Sequence, residues 1–197
     1  MSRPGIAELL PGASPVVTLR LMELRRTLNG AVAGATAAGL WAAQQPLDKR
    51  VFGSSYDDVE LLGKLVTRGS GWQAAGLCMH VLNGAVFGAV YALVRPLVPA
   101  PPLAAGVGAA LGEHVALWPL GGLVDRHHPA RSDLEALSGN RRAFAQAGWR
   151  HLLFGVVLAE LERRLNDAGE FEPLEQVPVS SNGHGNIEDA AVGVTEG

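Results

Sequence analysis

A single cysteine, Cys78, leaves the chain without an internal disulfide or a cysteine-based zinc site. It sits inside an apolar block and is expected to pack as a small hydrophobe. Charge is also scarce: charged residues make up 18% of the sequence, against about 25% in ordinary soluble domains. A net charge of −3 and the lack of any basic face exclude a nucleic-acid footprint. Residues 1–24 lack the basic start and immediate apolar core of a cleaved signal peptide. Arg25-Arg26 is read as a membrane-flanking pair rather than a twin-arginine export signal. No catalytic triad, phosphate loop or dinucleotide fingerprint is present. GVGAALG at 106–112 echoes a glycine-rich nucleotide loop, but no strand precedes it and it continues as an apolar helix. Neither an enzyme nor a cofactor is therefore expected.

What the sequence has instead is glycine, 25 residues of 197, and four apolar blocks separated by polar stretches, under a mean hydropathy of only +0.17. Residues 1–26 read as a tail that runs into a short amphipathic segment at a membrane surface. The blocks at about 27–45, 73–95, 102–124 and 142–162 are long enough to cross the hydrocarbon, which takes about 20 helical residues. Pro46 is expected to stop the first. A short surface helix is expected within Ser55–Arg68. RPLVPAPP at 95–102 should fold the second and third spans into an antiparallel hairpin of neighbouring helices. Residues 165–197, acidic and without lysine or arginine, are expected to be a disordered tail. Basic residues flank the two sides six against eight and set no orientation. The expected fold class is all-α: an integral membrane four-helix bundle over 27–164, with one short interfacial helix and disordered termini.

Small residues mark where these helices should touch. Gly30 and Gly34 form a GxxxG pair, and Gly84 and Gly88 another, a spacing that lets backbones approach closely in lipid. LNGAVAGA at 28–35 returns as LNGAVFGA at 82–89, by duplication or by convergence on a common packing string. Three spans carry a histidine on their small-residue row. The rows are Gly76, His80, Gly84, Gly88; then Gly106, Ala110, His114; then Ala143, Ala147, His151, Gly155, Ala159. Ionisable groups at membrane depth cost a few kcal/mol each, so these rings should face the interior. With Asn83, Glu113 and Arg150 beside them they form an expected intramembrane polar cluster. Four readings are open, in this order: interhelical hydrogen-bonding contacts, a proton-handling site, another transport path, and a metal or haem site. The last lacks an HxxxH or ExxH signature, so no metal is expected. His127-His128, in the loop after the third span, is expected to be solvated.

The arrangement of these residues resembles the YagU-like bacterial inner-membrane proteins over about 27–165. His80 precedes Val86-Phe87 and Tyr91, and His114 lies five residues before Pro119 in WPLGGL. His151 is followed by Glu160, Arg163 and Arg164, and the first span exits through AAQQPLDKR. The chain departs from the family in a shorter connection between the first two spans and in the spacing of His151 and Glu160. The resemblance implies a multi-pass protein of the bacterial plasma (inner) membrane, associated with acid tolerance. It implies no substrate and no catalytic residue. The expected function is thus a non-enzymatic membrane protein linked to acid or proton stress. Its histidines would serve as interhelical contacts or as proton-responsive groups. The alternative is a small transporter or channel subunit working as an oligomer. The expected partners are the lipid bilayer and, through small-residue helix faces, further copies of the chain; nucleic acid is not among them.

Overall fold

The computed structural model describes residues 14–167, and every regular element within them is helical. Expectations for residues 1–13 and 168–197 lie outside the described residues. Helix α1 runs over Pro15–Phe52, 38 residues. Ser14 caps it, its side chain accepting from the Val17 N–H at 3.4 Å, with Pro15 in the first turn where its missing N–H costs nothing. Gly53, left-handed at φ 60°, closes the other end with its N–H on the Lys49 carbonyl.

This differs from the sequence reading at both ends. The amphipathic segment before residue 27 is the first turns of α1, not a separate helix. Pro46 does not stop the helix but lies inside it. One lost backbone hydrogen bond is offset because the following turn carries Asp48 into a buried ionic contact with the far end of the chain.

Helix α2, Asp58–Val66, is capped by Asp57, whose carboxylate accepts from the Glu60 N–H at 2.9 Å. It matches the short helix expected in that connection. Helix α3 spans Trp72–Val94 and gives way to a 3-10 turn at Arg95–Leu97. Arg95 ties the proline hairpin by donating to the carbonyls of Val98 at 2.9 Å and Ala100 at 2.8 Å. Helix α4, Pro102–Leu117, breaks at Trp118–Leu120, where Pro119 cannot supply an N–H, and resumes as α5, Gly121–His127. Helix α6, Arg141–Asp167, starts where the Asn140 side chain accepts from the Ala143 N–H at 3.0 Å.

The packing is built on missing side chains. Helices α1 and α3 run antiparallel with Gly30 against Gly88 and Gly34 against Gly84, so close that a β-carbon on any of the four would collide with backbone or with a neighbouring β-carbon. The two LNGAV repeats are therefore the two faces of one contact. Gly63 and Gly76 do the same for α2 on α3, and Gly106 meets Gly155 and Ala159 where α4 crosses α6. These rows are consumed within the chain. Helix α6 also lies along α1: Asn29 donates to the Leu165 carbonyl at 3.0 Å and to Asn166 at 2.9 Å, and Asp48 holds the opposite end.

The helices therefore neighbour one another in the order α3, α1, α6, α4. The hairpin partners α3 and α4 are not packed along their length as expected. They meet near the hairpin, where the Tyr91 hydroxyl donates to the Pro102 carbonyl at 3.2 Å, and otherwise stand apart. Each helix has a glycine row that fits a different partner better, and the gap left between α3 and α4 becomes the cavity described below.

The core is small and the surface is large-grained. Ala33, Ala37, Ala38, Ala110, Ala143 and Ala147 are buried with Trp41, Phe154 and Leu158. Leu28, Val32, Leu82, Val86, Val90, Leu103, Val115 and Val156 point outward. Cys78 is also exposed, not packed inside as expected. Two stretches, Trp72–Leu97 and Pro102–His127, are long and apolar enough to cross a membrane. The blocks expected as the first and fourth spans do not reach that level; the first owes its length to alanine and glycine, and the fourth is interrupted by Arg150, His151 and Glu160.

Candidate functional site

Two polar assemblies sit side by side at the end of the molecule opposite the proline hairpin. The first is ionic and centred on Arg150, which is 0% exposed. Its guanidinium grips Asp48 with two bonds, Nε to Oδ2 at 2.6 Å and Nη2 to Oδ1 at 2.7 Å. It also donates to Asp58 at 2.7 Å and to the Tyr56 carbonyl at 3.1 Å. Gln146, one turn earlier on α6, donates to Asp48 at 2.7 Å. The Tyr56 ring lies under the guanidinium carbon at 5.5 Å. Asp58 receives two further donors, the Trp41 indole N–H at 3.0 Å and the Tyr56 hydroxyl. Burial alone would raise the Asp58 carboxyl, but Arg150 and the Tyr56 hydroxyl outweigh it and hold it below its ordinary value. Burial, with Asp58 beside it, pushes the Tyr56 phenol well above its ordinary value. The assembly clamps α1, α2 and α6 together.

The second is a cavity of about 310 Å³ in the gap between α3 and α4. It brings together five of the six residues expected as a polar cluster: His80 and Asn83 from α3, Glu113 and His114 from α4, and His151 from α6. Arg150 does not line it; as the next residue to His151 on a helix it points about 100° away, to the ionic assembly. Asp58 lines the cavity and belongs to both.

The rings form a column. Trp41 stands edge-on between His80, at 5.1 Å between centroids, and His151, at 4.7 Å. His151 lies 4.8 Å from His114, which meets Phe144 at 4.5 Å and Trp118 at 5.5 Å. His151 Nδ1 is 2.7 Å from the Ala147 carbonyl. A carbonyl can only accept, so Nδ1 carries the proton and the neutral ring presents a lone pair at Nε2. That lone pair faces the Glu113 carboxyl at 3.8 Å, beyond hydrogen-bond length. A proton placed on either group makes this contact attractive.

His80 and His114 differ from His151. They are 8% and 4% exposed, and the Nε2 atom of each is buried without a hydrogen-bond partner among the described residues. An unpaired buried polar atom costs about 1–3 kcal/mol. Each ring nonetheless lies within reach of a backbone carbonyl on a neighbouring helix, His80 at Ala38 on α1 and His114 at Phe144 on α6. Among the described residues no group of three or more His, Cys, Asp or Glu side chains converges to hold a metal ion.

The loop histidines divide. His127 is exposed, whereas His128 is buried, with Nε2 3.0 Å from the Leu61 carbonyl and Nδ1 accepting from the Ala130 N–H at 3.1 Å. Nearby, Glu135 gathers the Ser54 hydroxyl, the Ser55 hydroxyl and N–H, and the Asn140 amide. Burial raises its carboxyl, but these bonds, Ser55 first, bring it below its ordinary value.

Sequence reasoning missed Trp41, Asp48, Tyr56, Asp58 and Gln146. The signal was Arg150 itself: a guanidinium in an apolar block requires carboxylates, and the nearest untethered ones were in the connection after Pro46. Gln146 and Arg150, four residues apart on one helix face, were the matching half. Comparison with known proteins finds no matching family model, no matching curated protein and no matching solved structure.

Proposed function

We propose that the chain is a multi-pass integral membrane protein of the bacterial inner membrane, as its resemblance to the YagU-like proteins implies. It works without catalysis, and its histidine cavity is a proton-responsive site. The placement in lipid is supported by the reversal of the usual soluble pattern, with alanine and glycine inside and leucine and valine outside. On this reading α1, α3, α4 and α6 form a four-helix membrane bundle, with α2 at the interface.

The observation that carries the functional reading is the convergence of His80, His114 and His151 with Asp58 and Glu113 on one cavity. The groups that would sense a charge on His80 are Asp58 on α2, Glu113 and His114 on α4, and His151 on α6. The alternative, a small transporter or channel subunit, needs a polar path to both surfaces. Phe87 and Phe154, 5.4 Å between centroids, with Tyr91 and Leu158 beyond, lie across that path toward the hairpin. A transport role would therefore need a path formed between protomers.

The test replaces His80 and His114 together by Gln. The variant is expected to remain in the carbonate-resistant membrane fraction. The wild type is expected to change its Trp emission between about pH 5 and pH 8, the range in which histidines ordinarily switch, and the variant to lose that change. A variant that no longer inserts, or one whose emission follows pH as the wild type does, returns the histidines to a packing role.

A further inference from the structure

We infer that the cavity between α3 and α4 binds an organic ammonium cation with an apolar body, taken from the lipid phase, with the Glu113 carboxylate as its counter-ion. This deepens the function proposed above and rests on its membrane placement. Four observations select the ligand class.

The first is an accessible carboxyl without a partner. Glu113 lines the cavity, its side chain is 38% exposed, and it accepts no hydrogen bond among the described residues. His151 Nε2, at 3.8 Å, stands beyond hydrogen-bond length. Asn83, exposed on α3 and also part of the wall, adds an amide oxygen that can only accept. Both residues fall near the middle of the two stretches long enough to cross a membrane, Trp72–Leu97 and Pro102–His127. An ionised carboxylate at that depth is costly unless a cation answers it.

The second is the sign of the lining charge. The acids on the wall are Asp58 and Glu113, and among the described residues no lysine or arginine lines it. Arg150 answers Asp58 from outside the cavity, which leaves Glu113 as the carboxylate open to a ligand. A fatty-acid carboxylate or a phosphate would meet repulsion there. A neutral hydrocarbon would leave Glu113 unanswered.

The third is the character of the walls. Phe87 and Trp118, both half-buried, line the cavity with the more deeply buried Trp41 and Phe154. Aromatic rings attract a weakly hydrated organic cation and shelter its apolar part. A metal ion needs more ligands, about six to eight oxygens for calcium, and among the described residues no group of three or more His, Cys, Asp or Glu side chains converges. About 310 Å³ is at the small end of cavities that hold organic ligands, which run from about 300 to 1,000 Å³, and so suits a compact cation.

The fourth is access. Leu117 and Leu120 line the cavity and are 51% and 50% exposed, so its mouth is continuous with the apolar outer surface. A cation with a hydrocarbon body would reach Glu113 from lipid by that mouth.

The experiment titrates the full chain in a non-ionic detergent with benzyltrimethylammonium and reads the heat of binding. Neopentylbenzene, the same shape with carbon in place of nitrogen, and 3-phenylpropanoate serve as neutral and anionic competitors. Saturable binding of the cation is expected at about pH 8, weakening toward about pH 5. A proton on Glu113, or on His80 of α3, His114 of α4 or His151 of α6, opposes the cation, while Asp58 of α2 favours it. The neutral isostere should bind about tenfold more weakly, having lost the ion pair and the attraction of the rings. Glu113→Gln should weaken cation binding about tenfold and flatten its pH dependence. Leu117→Phe, at the exposed mouth, should also weaken it and covers the case that the Gln variant does not fold. Binding that never saturates, equal affinity for the cation and its neutral isostere, equal cation affinity in wild type and either folded variant, stronger competition by 3-phenylpropanoate, or an affinity that rises toward low pH overturns the assignment. A wild type that inserts in membranes and responds to pH but does not bind the cation defeats this inference alone. A chain absent from the membrane fraction defeats the earlier reading with it.

Discussion

Arg150 uses four hydrogen bonds on three partners while fully buried, and two carboxylates face its single positive charge. Removing the guanidinium would leave Asp48 and Asp58 buried and uncompensated. Arg150→Met should therefore cost about 3–5 kcal/mol, read as a lower unfolding temperature in detergent. Arg150→Lys keeps the charge but not the planar fork, and should fall between the two. A Met variant as stable as wild type would show that the assembly does not clamp the helices. Acid should act on the same group. Folding lowers the Asp58 carboxyl, so its contribution is present above the ordinary carboxylate value near 3.9 and lost as the pH falls toward the folded value. Unfolding followed from about pH 6 to pH 3 should show stability decreasing below about pH 4, and Asp58→Asn should shallow that decrease.

At the scale of the helix, glycine decides which element meets which. Gly34→Ala places a methyl against the Gly84 carbonyl and should cost about 1–3 kcal/mol as overpacking. Gly108 has open space where its β-carbon would be, so Gly108→Ala should be neutral or stabilising by up to about 1 kcal/mol, from helix propensity alone. Equal melting shifts for the two would remove the close contact from the description. The existence of the long helices, the glycine rows and the inward histidines were legible in the sequence because each is a local pattern with a period. The pairing was not. The proline hairpin suggested that α3 and α4 were partners, but chain proximity says nothing about whether two small-residue rows fit, and the rows on α1 and α6 fit better. The run of α1 through Pro46 was hidden for a related reason. What sustains those last turns is a carboxylate reaching Arg150, about 100 residues further along the chain.

For the whole molecule, exposure is the quantity to measure in lipid. Cys78 is the only cysteine and is exposed on α3, which makes it a ready-made probe. A nitroxide attached there should collide more with dissolved oxygen than with a water-soluble nickel chelate when the protein is in bilayers. The reverse preference would place this face of α3 in water.

The length of α1 also works as a depth gauge. At one polar level Asn29 holds Leu165 and Asn166; at the other Asp48 holds Arg150. Nineteen residues along the helix separate them, about 28 Å at 1.5 Å per residue, close to the hydrocarbon thickness of roughly 30 Å. On the proposed membrane placement the two levels would stand near opposite surfaces of the bilayer. On that placement a thicker bilayer would have to thin around the molecule, or the molecule would be sorted to membranes that match this spacing.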